Sequence, residues 1–227
     1  MDEHTLLRRA FTGLAQLALT MVLLIFVPAG TPRYWQGWAF LVVYLGASLA
    51  ITLYLFRHDR ALLERRLHAG PTAEPRSIQK VILAVASLAF LAMLVVSAID
   101  HRLGWSHLPS AVAILGDGLV VLGFWITARV FKENTFTAST IEVSAGQTVI
   151  TTGPYAIVRH PMYAGGLVTL VGIPLALGSA WGLWASLVVA MSIVWRLLDE
   201  EKLLSRDLAG YDAYRLQTRY RLIPYVW

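Results

Sequence analysis

The sequence predicts an all-α, polytopic integral membrane fold with about six transmembrane helices, four of them followed by a C-terminal helical hairpin and a cytosolic tail. Three observations predict it. The 227 residues are 57% hydrophobic and 15% charged, with mean hydropathy +0.60, which is too little polar surface for a water-soluble globule. Four apolar runs, residues 11–27, 38–56, 81–99 and 111–130, reach the roughly 17–25 residues that a spanning helix needs. A fifth, residues 162–198, is too long for one perpendicular helix and is broken by Pro174 and by Gly178-Ser179-Ala180. It reads as a hairpin, with a single kinked helix as the alternative.

Charge sets the orientation. With a cytosolic N-terminus and six crossings, 17 of the 19 basic residues fall on the cytosolic side, leaving only Arg33 and Arg102 outside; this is the positive-inside asymmetry. Both termini then face the cytosol. Trp35, Trp38, Trp105, Trp181 and Trp184 fall near expected helix ends, as interfacial indoles do. The first run passes into Pro28-Ala29-Gly30-Thr31-Pro32 without a small-residue cleavage pattern and reads as a retained helix. The segment from Arg57 to Lys80 reads as a solvated connector at the membrane surface. The basic excess is accounted for by topology and anionic headgroups, so no nucleic-acid partner is expected.

The chain has no cysteine, which removes disulfides, thiolate nucleophiles and thiol metal sites. Neither the P-loop nor the HExxH pattern occurs, and no metal site is expected. Chemistry must rest on His, Arg, Glu, Asp or Tyr.

Those residues are concentrated in two places. The first is Gly153-Pro154-Tyr155-Ala156-Ile157-Val158-Arg159-His160-Pro161-Met162-Tyr163. Pro161 suits the first turn of the fifth helix, where its missing N–H costs nothing, and His160 then stands near the N-cap. Such a helix start carries free N–H groups and positive partial charge, so it can hold a carboxylate or phosphate, and Arg159 reinforces that polarity. The second place is Arg196 to Glu201, where Glu200 follows Arg196 by four residues and shares its helix face. A hairpin brings these two clusters into one pocket open to a cytosolic small molecule. Between the fourth and fifth runs, Gln147, Thr148, Val149 and Ile150 read as a short extended segment and turn. Asp117, between Gly116 and Gly118, reads as a hydrated residue near the outer interface.

Gly153-Pro154-Tyr155, Val158-Arg159-His160-Pro161-Met162-Tyr163, Arg196 with Glu200-Glu201, Tyr211 and Tyr214, and Arg221-Leu222-Ile223-Pro224 together resemble the C-terminal signature of the isoprenylcysteine carboxyl methyltransferase family and of related phospholipid methyltransferases. The likeness spans about residues 131–224. It departs from the family between Glu201 and Tyr211, which lacks the usual Phe-Gly-Glu-like approach. The resemblance implies S-adenosyl-L-methionine as methyl donor. It places that donor against Gln147, Thr148, Val149, Ile150, Tyr155, His160, Pro161, Met162, Tyr163 and Glu200, with Arg196 positioning the acceptor; Arg159 and Glu201, from the two polar clusters, complete the expected donor-binding set. It further implies that residues 1–130 admit an acceptor from the lipid bilayer and that residues 131–227 bind the donor. The implied acceptor is an amphiphilic, prenylated or similarly lipidated acid, in a bacterial inner membrane or an internal eukaryotic one.

The chemistry agrees with that reading. A helix N-terminus with His160 beside Glu200 offers both signs to a zwitterionic, sulfonium-bearing donor. An acceptor carboxylate with pKa near 4 is already ionised at neutral pH, so no general base is required. An amine acceptor, as in lipid headgroup methylation, would instead require a carboxylate such as Asp199 or Glu201 beside it. A sterol-type NADPH reductase, a transporter and a lipid-binding protein stand as the other classes.

Overall fold

The computed structural model describes residues 2–67, 74, 76–137 and 146–227; Pro71 to Pro75 apart from Glu74, and Ser144-Ala145, lie outside them. Eight α-helices occur among these residues: α1 (Glu3–Ala29), α2 (Trp35–His58), α3 (Arg60–Leu67), α4 (Ser77–Leu103), α5 (Ser110–Glu133), α6 (Pro161–Ala176), α7 (Gly182–Asp207) and α8 (Tyr211–Gln217). One 3₁₀ turn, Gly153–Ala156, precedes α6. No strand occurs among the described residues. Gln147 to Ile150 carry no regular structure, so the expected strand-like segment is an irregular loop.

Five of the helices, α1, α2, α4, α5 and α7, are long and apolar enough to cross a membrane. The fifth apolar run is a hairpin, as its Pro and Gly breaks require, but its first arm, α6, has only 16 residues, about 24 Å of helix against a hydrocarbon thickness of about 30 Å. Its turn is tucked beneath the other connections. Tyr34 donates its hydroxyl to Leu177 O. Ser179 Oγ donates to Asp100 and accepts from Gly182 N at 3.0 Å, while Ala180 N donates to Ser106 Oγ at 3.0 Å. Backbone that stops short of the interface is thus satisfied by protein, the condition for irregular structure at membrane depth.

Pro174 lies inside α6 and cannot donate to Leu170 O, four residues back. Ser186 of α7 supplies the missing donor, its Oγ reaching Leu170 O at 2.8 Å. Helices α5 and α6 run antiparallel and nearly touch. A Cβ added to Gly116 would lie 2.1 Å from Ala176 N, and one added to Gly123 would lie 2.1 Å from Thr169 Oγ1, so only glycine allows this approach. Met21, Ile25, Phe40, Met93, Leu94 and Ile173 fill the centre of the bundle.

The start of α1, the ends of α2, α5 and α7, and the starts of α4 and α6 gather at one end. Arg60 pairs with Glu3 at 2.9 Å, Arg76 with Asp199 at 2.6 Å, and Leu6, Leu55, Leu62 and Phe131 share one cluster with Met162 packed on it. Most basic residues therefore share one end of the bundle. Trp105 and Trp181 meet at the other end, ring centroids 5.7 Å apart. The expectation of a solvated connector at 57–80 is corrected for residues 60–67. Residues 60–67 form α3, held down because Leu62 and Leu63 are buried.

Candidate functional site

At the basic end a cavity of about 490 Å³ opens between the hairpin, α3, α4, α8 and the loop before the 3₁₀ turn. Its floor is the start of α6. His160 is the N-cap and Pro161 the first helical residue, and the first intrahelical bond runs from Ala164 N to His160 O. The N–H groups of Met162 and Tyr163 therefore precede the ladder, as the early N–H groups of any helix do. The strap that holds this helix start comes from the C-terminal tail: Arg159 N donates to Tyr220 O at 2.8 Å and His160 N to Arg221 O at 2.9 Å.

The α7 wall presents Arg196 and Glu200. Tyr163 joins them across the hairpin, donating its hydroxyl to Glu200 Oε2 at 2.6 Å and accepting from Arg196 Nε at 3.2 Å. Arg196 is anchored from behind as well, Nη1 donating to Gln79 Oε1 at 2.9 Å and Nη2 to Glu74 Oε1 at 2.7 Å. Its guanidinium plane is consequently locked before any ligand arrives.

Of the residues singled out from the sequence, Gln147, Thr148, Val149, Ile150, Tyr155, Arg159, His160, Pro161, Met162, Tyr163, Arg196 and Glu200 all line this cavity. Glu201 is placed elsewhere. It points behind the wall, where its Oε1 accepts from Arg159 Nε at 2.7 Å and its Oε2 from Arg221 Nε at 2.8 Å, with His160 Nε2 3.3 Å from Oε1. The partner of His160 is therefore Glu201, not Glu200. Successive residues on a helix diverge by about 100°, so only one of the two acids can face the cavity. Asp199 is also directed away, accepting from Arg76 at 2.6 and 3.0 Å and from Gln79. Asp117 sits on α5 with Oδ1 buried and without a hydrogen-bond partner; it is remote from this cavity and less hydrated than expected.

Several cavity residues carry no signal in the sequence. Arg66 of α3 reaches in, its guanidinium 5.0 Å above the Phe131 ring and Nη1 3.8 Å from Met162 Sδ; burial pushes its pKa below the ordinary guanidinium value. Leu83 and Ser87 bring α4 to the wall. Asn134, at the end of α5, donates Nδ2 to Tyr155 OH at 2.9 Å, and Tyr214 OH donates to Tyr155 O at 2.7 Å. Burial, more than the nearby acids, holds the Tyr155 phenol above its usual pKa.

Tyr211 tests whether a polar ligand fits. Its side chain lines the cavity, the residue is 3% exposed, and its hydroxyl is buried with no hydrogen-bond partner. A buried hydroxyl left unpaired costs about 1–3 kcal/mol, and a ligand acceptor in the cavity would recover that. The donor set also suits S-adenosylmethionine. Glu200 offers a carboxylate for its cationic groups, the α6 start offers N–H groups for its carboxylate, and Tyr155, Val149 and Leu208 offer apolar surface for its adenine.

Residues 111–209 match the family model described as phospholipid methyltransferase. The matched stretch contains α5 apart from its first residue, the hairpin and every residue of the first polar cluster, together with Arg196 and Glu200. The search of curated proteins returned no match.

Proposed function

We infer that this chain, which matches the phospholipid methyltransferase family model over residues 111–209, transfers a methyl group from S-adenosylmethionine to the carboxylate of an amphiphilic, lipidated acid. The observation that carries the reading is the Arg196–Tyr163–Glu200 arrangement on one cavity wall. It presents a cation and an anion one helical turn apart, the first suited to an acidic acceptor and the second to a cationic donor.

When bound, S-adenosylmethionine supplies an electrophilic methyl on a sulfonium sulfur. Glu200 would hold the positive side of that molecule, and the first-turn N–H groups of Met162 and Tyr163 its carboxylate. Arg196, fixed by Glu74 and Gln79, would orient the acceptor carboxylate by charge-assisted hydrogen bonds. The acceptor oxygen is already ionised at neutral pH, so the residues here have no proton to remove. Their contribution is alignment in a water-poor cavity, which is worth about 7–11 kcal/mol at its upper range. An amine acceptor finds less support, because Asp199 and Glu201 are both engaged in ion pairs outside the cavity.

The test uses detergent-purified protein with donor labelled in its methyl group, offered a prenylated cysteine acid or a phosphatidylethanolamine. The expected product is a methyl ester of the acid, which releases volatile labelled methanol in alkali. Alkali-stable label on the amine lipid would replace this reading with N-methylation. Donor binding without transfer to either would reject both acceptors.

A further inference from the structure

A second cavity, of about 820 Å³, lies on the outer shoulder of α5 and α6. It shares only Pro161 with the first. Leu119, Val168 and Val171 line its deep end, Arg129 its other end, and Ile223 of the tail closes the floor. From Leu119 to Arg129 the groove follows ten residues of α5, about 15 Å, which is half the roughly 30 Å hydrocarbon thickness of a bilayer. It therefore spans one leaflet, apolar at the midplane and cationic at the end where the basic residues gather. Arg129 and Lys132 are exposed there, three residues apart and so on adjoining positions of one helix face; neither forms an ion pair among the described residues. The tail beside the floor leaves Ile223, Tyr225 and Val226 53%, 88% and 75% exposed, a composition suited to the headgroup region and not to water.

We propose that this groove binds an anionic phospholipid of that leaflet, with one acyl chain along α5 and α6 and the phosphate against Arg129 and Lys132. The site is separate from the donor cavity: apart from Pro161, no residue is common to both. Its occupant braces the junction of the 3₁₀ turn with α6 from the lipid side. The inference rests on membrane insertion and stands independently of the methyl acceptor.

Native mass spectrometry of the full chain, released from nanodiscs of equal phosphatidylglycerol and phosphatidylcholine, provides the test. Wild type should retain one phosphatidylglycerol per chain in preference to phosphatidylcholine by about thirtyfold, the effect of two basic residues at an anionic surface. Arg129→Ala should lower that preference to about fivefold, and Arg129→Ala combined with Lys132→Ala should bind lipid without it. Val168→Trp, which places an indole mid-groove, should lose the retained lipid while donor binding persists. Should Val168→Trp fail to fold by circular dichroism, Val171→Phe serves the same purpose. Equal retention by wild type and the folded groove-filled variant, or a ladder of lipids with no headgroup preference, would identify annular lipid only and overturn the proposal.

Discussion

Tyr163 and Glu200 meet across the α6–α7 hairpin, the phenol donating to Glu200 Oε2 at 2.6 Å. This one bond connects the helix start that the polar motif builds to the acid one turn beyond Arg196. Removing either partner therefore has separable consequences.

Tyr163→Phe should weaken donor binding by about tenfold or more, since a hydrogen bond to a charged group is worth about 1.5–3 kcal/mol, and Glu200→Gln should weaken it further. Titration calorimetry in detergent measures both. Unchanged affinity in Glu200→Gln would remove Glu200 from the donor site.

Neighbouring acids should behave differently. Glu201→Ala leaves Arg159, a 7% exposed residue, without its carboxylate partner, and breaking a buried pair costs about 3–5 kcal/mol. Its melting temperature should fall sharply. Glu200→Ala should melt near wild type yet fail to bind donor; the reverse pattern would exchange their roles.

Tyr211→Phe deletes an unpartnered buried hydroxyl, so the ligand-free protein should be unchanged or slightly more stable. Donor affinity should nevertheless fall. Burial raises the Tyr211 phenol above its ordinary value of 10.0, so it keeps its proton, and its share of binding should be flat from pH 7 to pH 9. The same raised value acts on folding only in strong alkali. Below pH 10 both states are neutral, and above it the unfolded phenol ionises first and stability falls. Ultraviolet difference titration monitors that ionisation.

Glu74→Gln removes a charged partner that lies 2.7 Å from Arg196 and does not itself line the cavity. The acceptor KM should rise several-fold with donor affinity preserved. Equal losses in both would assign Glu74 to folding alone.

Ser186→Ala withdraws the hydroxyl that serves Leu170 O opposite Pro174. The unpaired carbonyl should cost about 1–3 kcal/mol, visible as a lower melting temperature, and Pro174→Ala in the same chain should restore it.

The hairpin, the His160 N-cap and the first-turn position of Pro161 were legible because they depend on local rules: a proline lacks an N–H, a glycine accepts positive φ, and apolar length matches a bilayer. The motif from Tyr155 to Tyr163 could be placed on the cavity for the same reason. The partners of Arg196 were not legible. Glu74 lies 122 residues away and Gln79 117, and their contact follows from packing α4 against α7, for which periodicity has no term. Arg66 was hidden likewise, in a segment whose charge suggested solvent until the burial of Leu62 and Leu63 turned it inward.

Membrane class, the number of membrane-crossing helices to within the short α6, and the clustering of polar chemistry at one end follow from composition, periodicity and charge, properties additive along the chain. Which carboxylate faces the cavity does not. Glu200 and Glu201 are chemically almost identical neighbours, and only the rotation of α7 against α6 directs one to Tyr163 and buries the other among Arg159, His160 and Arg221. That rotation is decided by contacts between helices far apart in sequence, above all the glycine-lined approach of α5 to α6 and the anchoring of α7 on α4.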